Sequence, residues 1–193
     1  MINQPCPGGK GLLDKEDCML LIVDVQTRLA PLIHGIGRVS GNIVKLVRFA
    51  HIIGLPVVLA EQINLGETLP EIREALVDCP AIKKMEFDCF GSEAVASSLS
   101  VSGRKVLLAA GIETHICVAQ TALSGLRRFN VHVIADATSS RSPVDRDIAF
   151  ERMRGAGVVL TSTEMLIYEL LKRAGTEEFR ETLKLVKNER KET

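Results

Sequence analysis

The 193-residue sequence has no tryptophan and a single tyrosine, and aromatic residues make up only 4% of it. That scarcity counts against a single-stranded nucleic-acid binder, which stacks bases on exposed rings. Excess charge of either sign is also missing. The 24 Lys and Arg residues balance 24 Asp and Glu, so nothing in the overall charge asks for a polyanionic partner. No apolar run reaches the ~20 residues that a membrane-spanning helix needs, and residues 1–10 show no apolar segment of the kind a secretory signal carries. The five cysteines, Cys6, Cys18, Cys79, Cys89 and Cys117, are odd in number and fit neither a disulfide framework nor a zinc ribbon. A cytoplasmic protein with reduced thiols is therefore expected, with no membrane and no nucleic-acid partner. There is no G-x-x-x-x-G-K-[ST] loop. Gly35-Ile-Gly37-Arg-Val-Ser40 neither follows the first strand directly nor supplies the third glycine of a dinucleotide loop, so no nucleotide cofactor is expected.

Hydrophobic residues at 46% and charged residues at 25% describe a globular chain, and the length suits one domain, 1–193, with an irregular arm over 1–14. From residue 18 onward, short apolar blocks alternate with amphipathic ones. Residues 18–25, 56–60, 105–111, 131–135 and 158–160 read as strands. Helices are expected over 38–53, 69–76, 116–129, 145–155, 163–174 and 177–188. The alternation predicts βαβ units and a largely parallel sheet with helices on both faces, an α/β three-layer sandwich. His132, between two valines, reads as a packed strand residue.

In such a sheet ligands bind beyond the carboxyl ends of the strands. That directs attention to Asp24 and Gln26, to Glu61 and Gln62, to residues 111–117, and to residues 136–140. Asp24 ends an apolar strand, where partial desolvation raises a carboxyl pKa and suits it to general-base work. Cys117 falls at a strand-to-helix corner, where orphan N–H groups and the helix dipole favour thiolate and could bind an oxyanion. Lys83 and Lys84 are equivalent on spacing, and either could stabilise both anions. His115 and Cys117 stand two apart and do not share a helical face, so a metal site built from them with Cys89 is not expected.

Three segments together resemble the isochorismatase-like cysteine hydrolases: Leu21-Ile-Val-Asp24-Val-Gln26, Lys84-Met-Glu-Phe87-Asp-Cys-Phe90, and Gly111-Ile-Glu-Thr-His-Ile-Cys117-Val-Ala-Gln-Thr121-Ala122. The similarity spans about residues 15–187. Glu61-Gln62, Leu65-Gly66, Thr68-Leu-Pro-Glu71 and Thr161-Ser-Thr-Glu164 look most like the uncharacterised isochorismatase-domain proteins. The resemblance implies the Rossmann-like fold of that family and a triad of Asp24, Lys84 and Cys117. It also implies a non-proline cis peptide at Ile112–Glu113, shaping an oxyanion hole with the N–H groups of Ile116 and Cys117. Gln26, Gln62, Phe87, Asp88 and His115 are the expected pocket residues. Asp88 and His115 stand where the family often has serine and aspartate.

The implied activity is hydrolysis of a small amide, imide or ester through a thioester on Cys117. Two other readings stand beside it: a fold-retaining interaction protein without turnover, and thiol-free hydrolysis of an isochorismate-type vinyl ether. Family members of the last kind lack the cysteine. A homo-oligomer is expected, with the 177–188 helix as a candidate interface. Nicotinamidases of the family carry an aspartate and paired histidines after the second strand. Residues 60–65 here are Ala-Glu-Gln-Ile-Asn-Leu, a poor transition-metal site. Activity should therefore survive exhaustive chelation unchanged; a strict requirement for added Zn²⁺, Fe²⁺ or Mn²⁺ in the assay would overturn this.

Overall fold

The run 18–23 is apolar at every position because both of its faces are covered. In the computed structural model, which describes residues 11–187, it forms β1 (Cys18–Val23), buried throughout. Cys18, Leu20 and Ile22 enter one hydrophobic core, and Met19, Leu21 and Val23 enter another, as the period-two geometry of a strand requires. The other strands are β2 (Val57–Gln62), β3 (Ala81–Lys84), β4 (Val106–Ile112), β5 (Asn130–Ser139) and β6 (Val159–Thr161). They pair in the order β3-β2-β1-β4-β5-β6 with every ladder parallel.

Helices α1 (Ile36–Ile53), α2 (Pro70–Ala75), α6 (Thr163–Leu171) and α7 (Glu177–Lys187) supply side chains to the first core. Helices α3 (Glu93–Val101), α4 (Ala119–Gly125) and α5 (Pro143–Gly155) supply the second. The result is the three-layer α/β sandwich. Helix α1 stops at Gly54, whose left-handed backbone (φ 69°) lets its N–H return to the carbonyls of Ala50 and His51. The order reverses between β1 and β4, which opens a crevice at their carboxyl ends. No helix among the described residues is long and apolar enough to cross a membrane.

Several boundaries differ from expectation. The sheet has six strands rather than five. The missed strand, β3, is four residues long, contains two lysines and lies at the edge, where short charged strands are the rule. Helix α3 was hidden by its serines, although Val95 and Leu99 are buried at i, i+4 spacing. Residues 116–129 are not one helix: a π-helical turn (Thr114–Val118) precedes α4, which ends at Gly125. Strand β5 runs on to Ser139 past a register shift against β4. His132 is buried in β5, and burial lowers its pKa. Of the expected arm, residues 1–10 lie outside the described region. Leu13 is anchored, with its side chain in the core and its N–H donating to Glu169 Oε1 at 2.9 Å. Helix α7 packs Phe179 and Leu185 onto the first core, so its apolar side is covered by its own chain.

One glycine sets the distance between the two central strands at the crevice. Gly111 has φ 131°, and a Cβ there would lie 2.1 Å from the Val23 carbonyl oxygen. Backbone cannot yield as a flexible side chain does. Gly111→Ala should therefore destabilise the fold by at least ~2 kcal/mol. Urea denaturation measures this, and an unchanged midpoint would refute the close-approach argument.

Candidate active site

The chain turns sharply as it leaves β1. Asp24 has φ 53°, a left-handed conformation that costs a residue with a Cβ roughly 1 kcal/mol. Its N–H is held by the Ala60 carbonyl at 3.0 Å. Its carboxylate is fully buried and meets Lys84 Nζ at 2.7 Å through Oδ2, with neither side chain exposed. Lys84 also donates to the Glu86 carbonyl at 3.0 Å. Strand alternation settles the choice between the two lysines. Glu61 and Gln62 lie opposite Lys83 and Lys84 respectively, and neighbouring pairs face opposite sides of the sheet. Lys83 accordingly pairs with Glu61 and stays half-exposed, while Lys84 is buried against Asp24. Glu61 in turn accepts from the N–H and Oγ1 of Thr68, at 2.9 and 2.5 Å, which ties the 63–68 loop down.

Cys117 sits in the π-helical turn, 5% exposed. Its thiol donates to Gln62 Oε1 at 3.6 Å and lies within the field of the Asp24 carboxylate, whose buried Oδ1 has no hydrogen-bond partner among the described residues. Burial and charge oppose the thiolate expected at this corner. Burial first, and then the Asp24 charge, push the Cys117 pKa well above the ordinary thiol range; Lys84 opposes them and loses. Burial likewise raises the Asp24 pKa, with Lys84 pulling it down. Burial thus disfavours the charged form of both Cys117 and Asp24, and Lys84 favours it in both. The Ile112–Glu113 peptide bond is cis. The Ile116 N–H donates to the Glu113 carbonyl at 3.1 Å.

The thiol opens into a cleft of about 170 Å³, walled by Leu29, Gln62, Leu65, Phe87, Glu113, Ile116, Cys117 and Arg141. That is smaller than the ~300–1,000 Å³ of pockets for drug-sized ligands. Of the expected pocket residues, Gln62 and Phe87 are walls. The other three have structural duties. Gln26 is fully buried, and its amide is spent on the carbonyls of Gln62 and Gly66 and on the Gln62 N–H, at 2.9, 2.6 and 2.8 Å. Asp88 caps a tight turn by accepting from the Phe90 N–H at 2.9 Å. His115 turns to Ser140, its Nδ1 lying 2.9 Å from Oγ. Asp136, another strand-end candidate, caps α6 through the N–H and hydroxyl of Thr163.

Leu29, Leu65 and Arg141 are walls that the sequence reading did not single out. Arg141 follows β5 and grips the buried Glu113 carboxylate. Its Nε lies 3.1 Å from both oxygens, Nη2 lies 2.6 Å from Oε1, and its own backbone N–H lies 2.9 Å from Oε2. The pair joins residues 28 positions apart, and no local spacing announces it. Glu113, close to Cys117 in sequence, was the one usable signal, because a buried carboxylate demands a partner.

A parallel sheet in this order, with a thiol, a carboxylate and an ammonium gathered at its switch point, defines an α/β protein whose site lies where such folds bind ligands. The model of the isochorismatase domain matches residues 18–165, and the chain belongs to that family, a hydrolase of that superfamily. It is similar to isochorismatase domain-containing protein 2 of Danio rerio, 37% identical over 184 residues covering 92% of this chain and 91% of the relative. Among solved structures it resembles the MAR1 ribonuclease of Caenorhabditis elegans, with a TM-score of 0.85 and 32% identity over 91% of this chain and 92% of that one. YcaC from Pseudomonas aeruginosa, with hexane-2,5-diol and covalent acrylamide, gives a TM-score of 0.85 and 30% identity over 92% of each chain. The Escherichia coli YcaC gene product, an octameric hydrolase of unknown specificity, gives 0.82 and 27% over 91% and 87%.

The buried thiols make stability depend on alkaline pH. Burial pushes Cys18 and Cys89 up to about 12, against an ordinary value of 9.0. The unfolded chain releases these protons near 9 while the folded chain keeps them, so the folded state binds more protons and stability falls as pH rises from about 9 toward 12. Each thiol contributes up to ~1.4 kcal/mol per pH unit in that window. The urea midpoint should drop steeply between pH 8.5 and 10.5, and less so in Cys18→Ala relative to its own value at pH 8.5. Equal slopes in the two proteins would contradict the assignment.

Proposed function

We propose that the protein is a cysteine hydrolase of small amides, imides or esters. The observation that carries this reading is the fully buried Lys84–Asp24 pair, 2.7 Å apart, set against the Cys117 thiol at the floor of the cleft. Asp24 takes the thiol proton as Sγ attacks the substrate carbonyl. The tetrahedral intermediate collapses as Asp24 returns the proton to the leaving amine or alkoxide, leaving a thioester. Water then attacks, Asp24 accepts its proton, and the acid departs as the thiol is reprotonated. Lys84 offsets the negative charge that would otherwise oppose a thiolate beside Asp24. The oxyanion falls to the Cys117 N–H and to dipoles at the strand-to-helix corner.

The cleft volume of about 170 Å³ and its largely apolar walls suit a small molecule rather than a nucleic acid, and covalent acrylamide in the Pseudomonas YcaC structure supports a reactive site that admits a small amide. Four free cysteines among the described residues support a reducing, cytoplasmic location. We further propose a homo-oligomer. It is supported by the octameric E. coli neighbour and by exposed Val144 and Ile148, one turn apart on α5.

A screen of small amides, imides and esters supplies the assay. Cys117→Ala and Asp24→Asn should each reduce turnover at least ~10³-fold while leaving the fold intact. Full activity in Cys117→Ala would discard the thioester route and favour thiol-free vinyl-ether hydrolysis.

A further inference from the structure

Cys89 is a buried nucleophile that the reaction above leaves unused. It is 0% exposed and opens the short helical turn Cys89–Gly91, two residues after the cleft wall Phe87. Its N–H donates to Thr121 Oγ1 at 3.0 Å. Thr121 stands four residues after Cys117 on the continuing helix, and side chains four apart on a helix are neighbours, with about 5–6 Å between Cβ atoms. Cys89 is thus docked against the turn that carries Cys117. Both cysteines enter the same core, together with Val118 and Ala122. Both thiols also feel the buried ion pair: the Asp24 charge raises each pKa and Lys84 lowers each. Cys18 and Cys79 pack on the first core, across the sheet. Access differs within the pair. Cys117 lines the cleft and Cys89 does not, so a small solute entering the cleft meets Cys117 first.

We propose that Cys89 is a resolving thiol for Cys117, and that hydrogen peroxide joins the two in a reversible disulfide. Asp24 accepts the Cys117 proton as Sγ attacks one peroxide oxygen. The O–O bond breaks, and the departing hydroxide takes that proton from Asp24 and leaves as water. Cys117 is then a sulfenic acid. Cys89 Sγ attacks the sulfenic sulfur, the S–O bond breaks, and the Cys89 proton leaves with the hydroxyl as a second water. One peroxide is reduced to two waters, and two thiols are oxidised to one disulfide. An unresolved sulfenic acid open to the cleft would meet further peroxide and pass to irreversible sulfinic acid. A second thiol already packed beside it stops that step. The disulfide also takes away the thiol that the proposed hydrolase uses, so it acts as an off switch until a reductant restores both thiols.

Peptide mapping of the full chain tests this without any substrate. The protein is treated with a small excess of hydrogen peroxide, quenched with N-ethylmaleimide in denaturant, and digested. The expected product is a linked peptide pair joining Cys89 to Cys117, which dithiothreitol splits into two free thiols. In Cys89→Ala the same dose should raise Cys117 sulfinic acid at least ~10-fold over the wild type, because nothing resolves the sulfenic acid. Should that variant fold poorly, the wild-type map decides alone. Sulfinic acid on Cys117 with Cys89 still free in the wild type, a disulfide from Cys117 to any other cysteine, or no peroxide-dependent change at Cys117 would each overturn the assignment. If Cys117→Ala kept full hydrolytic activity, the linked pair would still form in the wild type, so this inference and the hydrolase reading fail separately.

Discussion

The site depends on a lysine buried without water beside one carboxylate. Removing an ammonium and a carboxylate from solvent costs several kcal/mol each, and their attraction repays this only with close geometry and extra hydrogen bonds. Here Nζ reaches Asp24 at 2.7 Å and the Glu86 carbonyl at 3.0 Å. Lys84 comes from the edge strand and Asp24 from a central one, with β2 between them, so the contact requires the sheet to be assembled first. The sharp turn at Asp24, the packing of Gly111 against Val23 and the Gln26 clamp on the loop after β2 all hold the two ends in place. An apolar pair would seal this corner at lower electrostatic cost. What an apolar pair lacks is a buried base whose charge is matched.

That balance explains the state of the thiol. Taken alone, a strand-to-helix corner and a nearby ammonium favour thiolate. Desolvation at the floor of the cleft and the adjacent carboxylate outweigh them, because the Born penalty for a buried anion exceeds what one half-compensated cation returns. The second ion pair differs in exposure: Glu113 is buried, but Arg141 is 55% exposed. Its Coulomb contribution to folding is accordingly screened, and its guanidinium edge remains available at the cleft.

Much of the fold was legible along the chain. An apolar run such as 18–23 signals a doubly covered strand, and helix α1 declares itself by its apolar stripe and its terminal glycine. The parallel architecture follows from the alternation of such blocks. Strand β3 and helix α3 were illegible for a shared reason. One is an edge strand whose lysines are tied to Glu61 on β2 and to Asp24 beyond β1, and the other buries only two side chains behind a row of serines. Neither carries a local pattern strong enough to stand out.

The site divides in the same way. Asp24 and Cys117 lie at strand ends, which local sequence marks, and the three short segments suffice to suggest their company. Choosing Lys84 over Lys83 from the residues alone was impossible, because that choice depends on which face of β3 meets β1's carboxyl end. The duties of Gln26, Asp88 and His115 were equally hidden: each spends its polar atoms on a backbone or side-chain partner that only packing brings within reach. Arg141 is the clearest case. Sequence determines that a cation exists at position 141 and a carboxylate at 113; only the closing of β5 against β4 sets them side by side at the cleft. Local pattern reports secondary structure because it is governed by contacts a few residues apart, whereas charge pairing in a parallel sheet is governed by crossovers that span dozens.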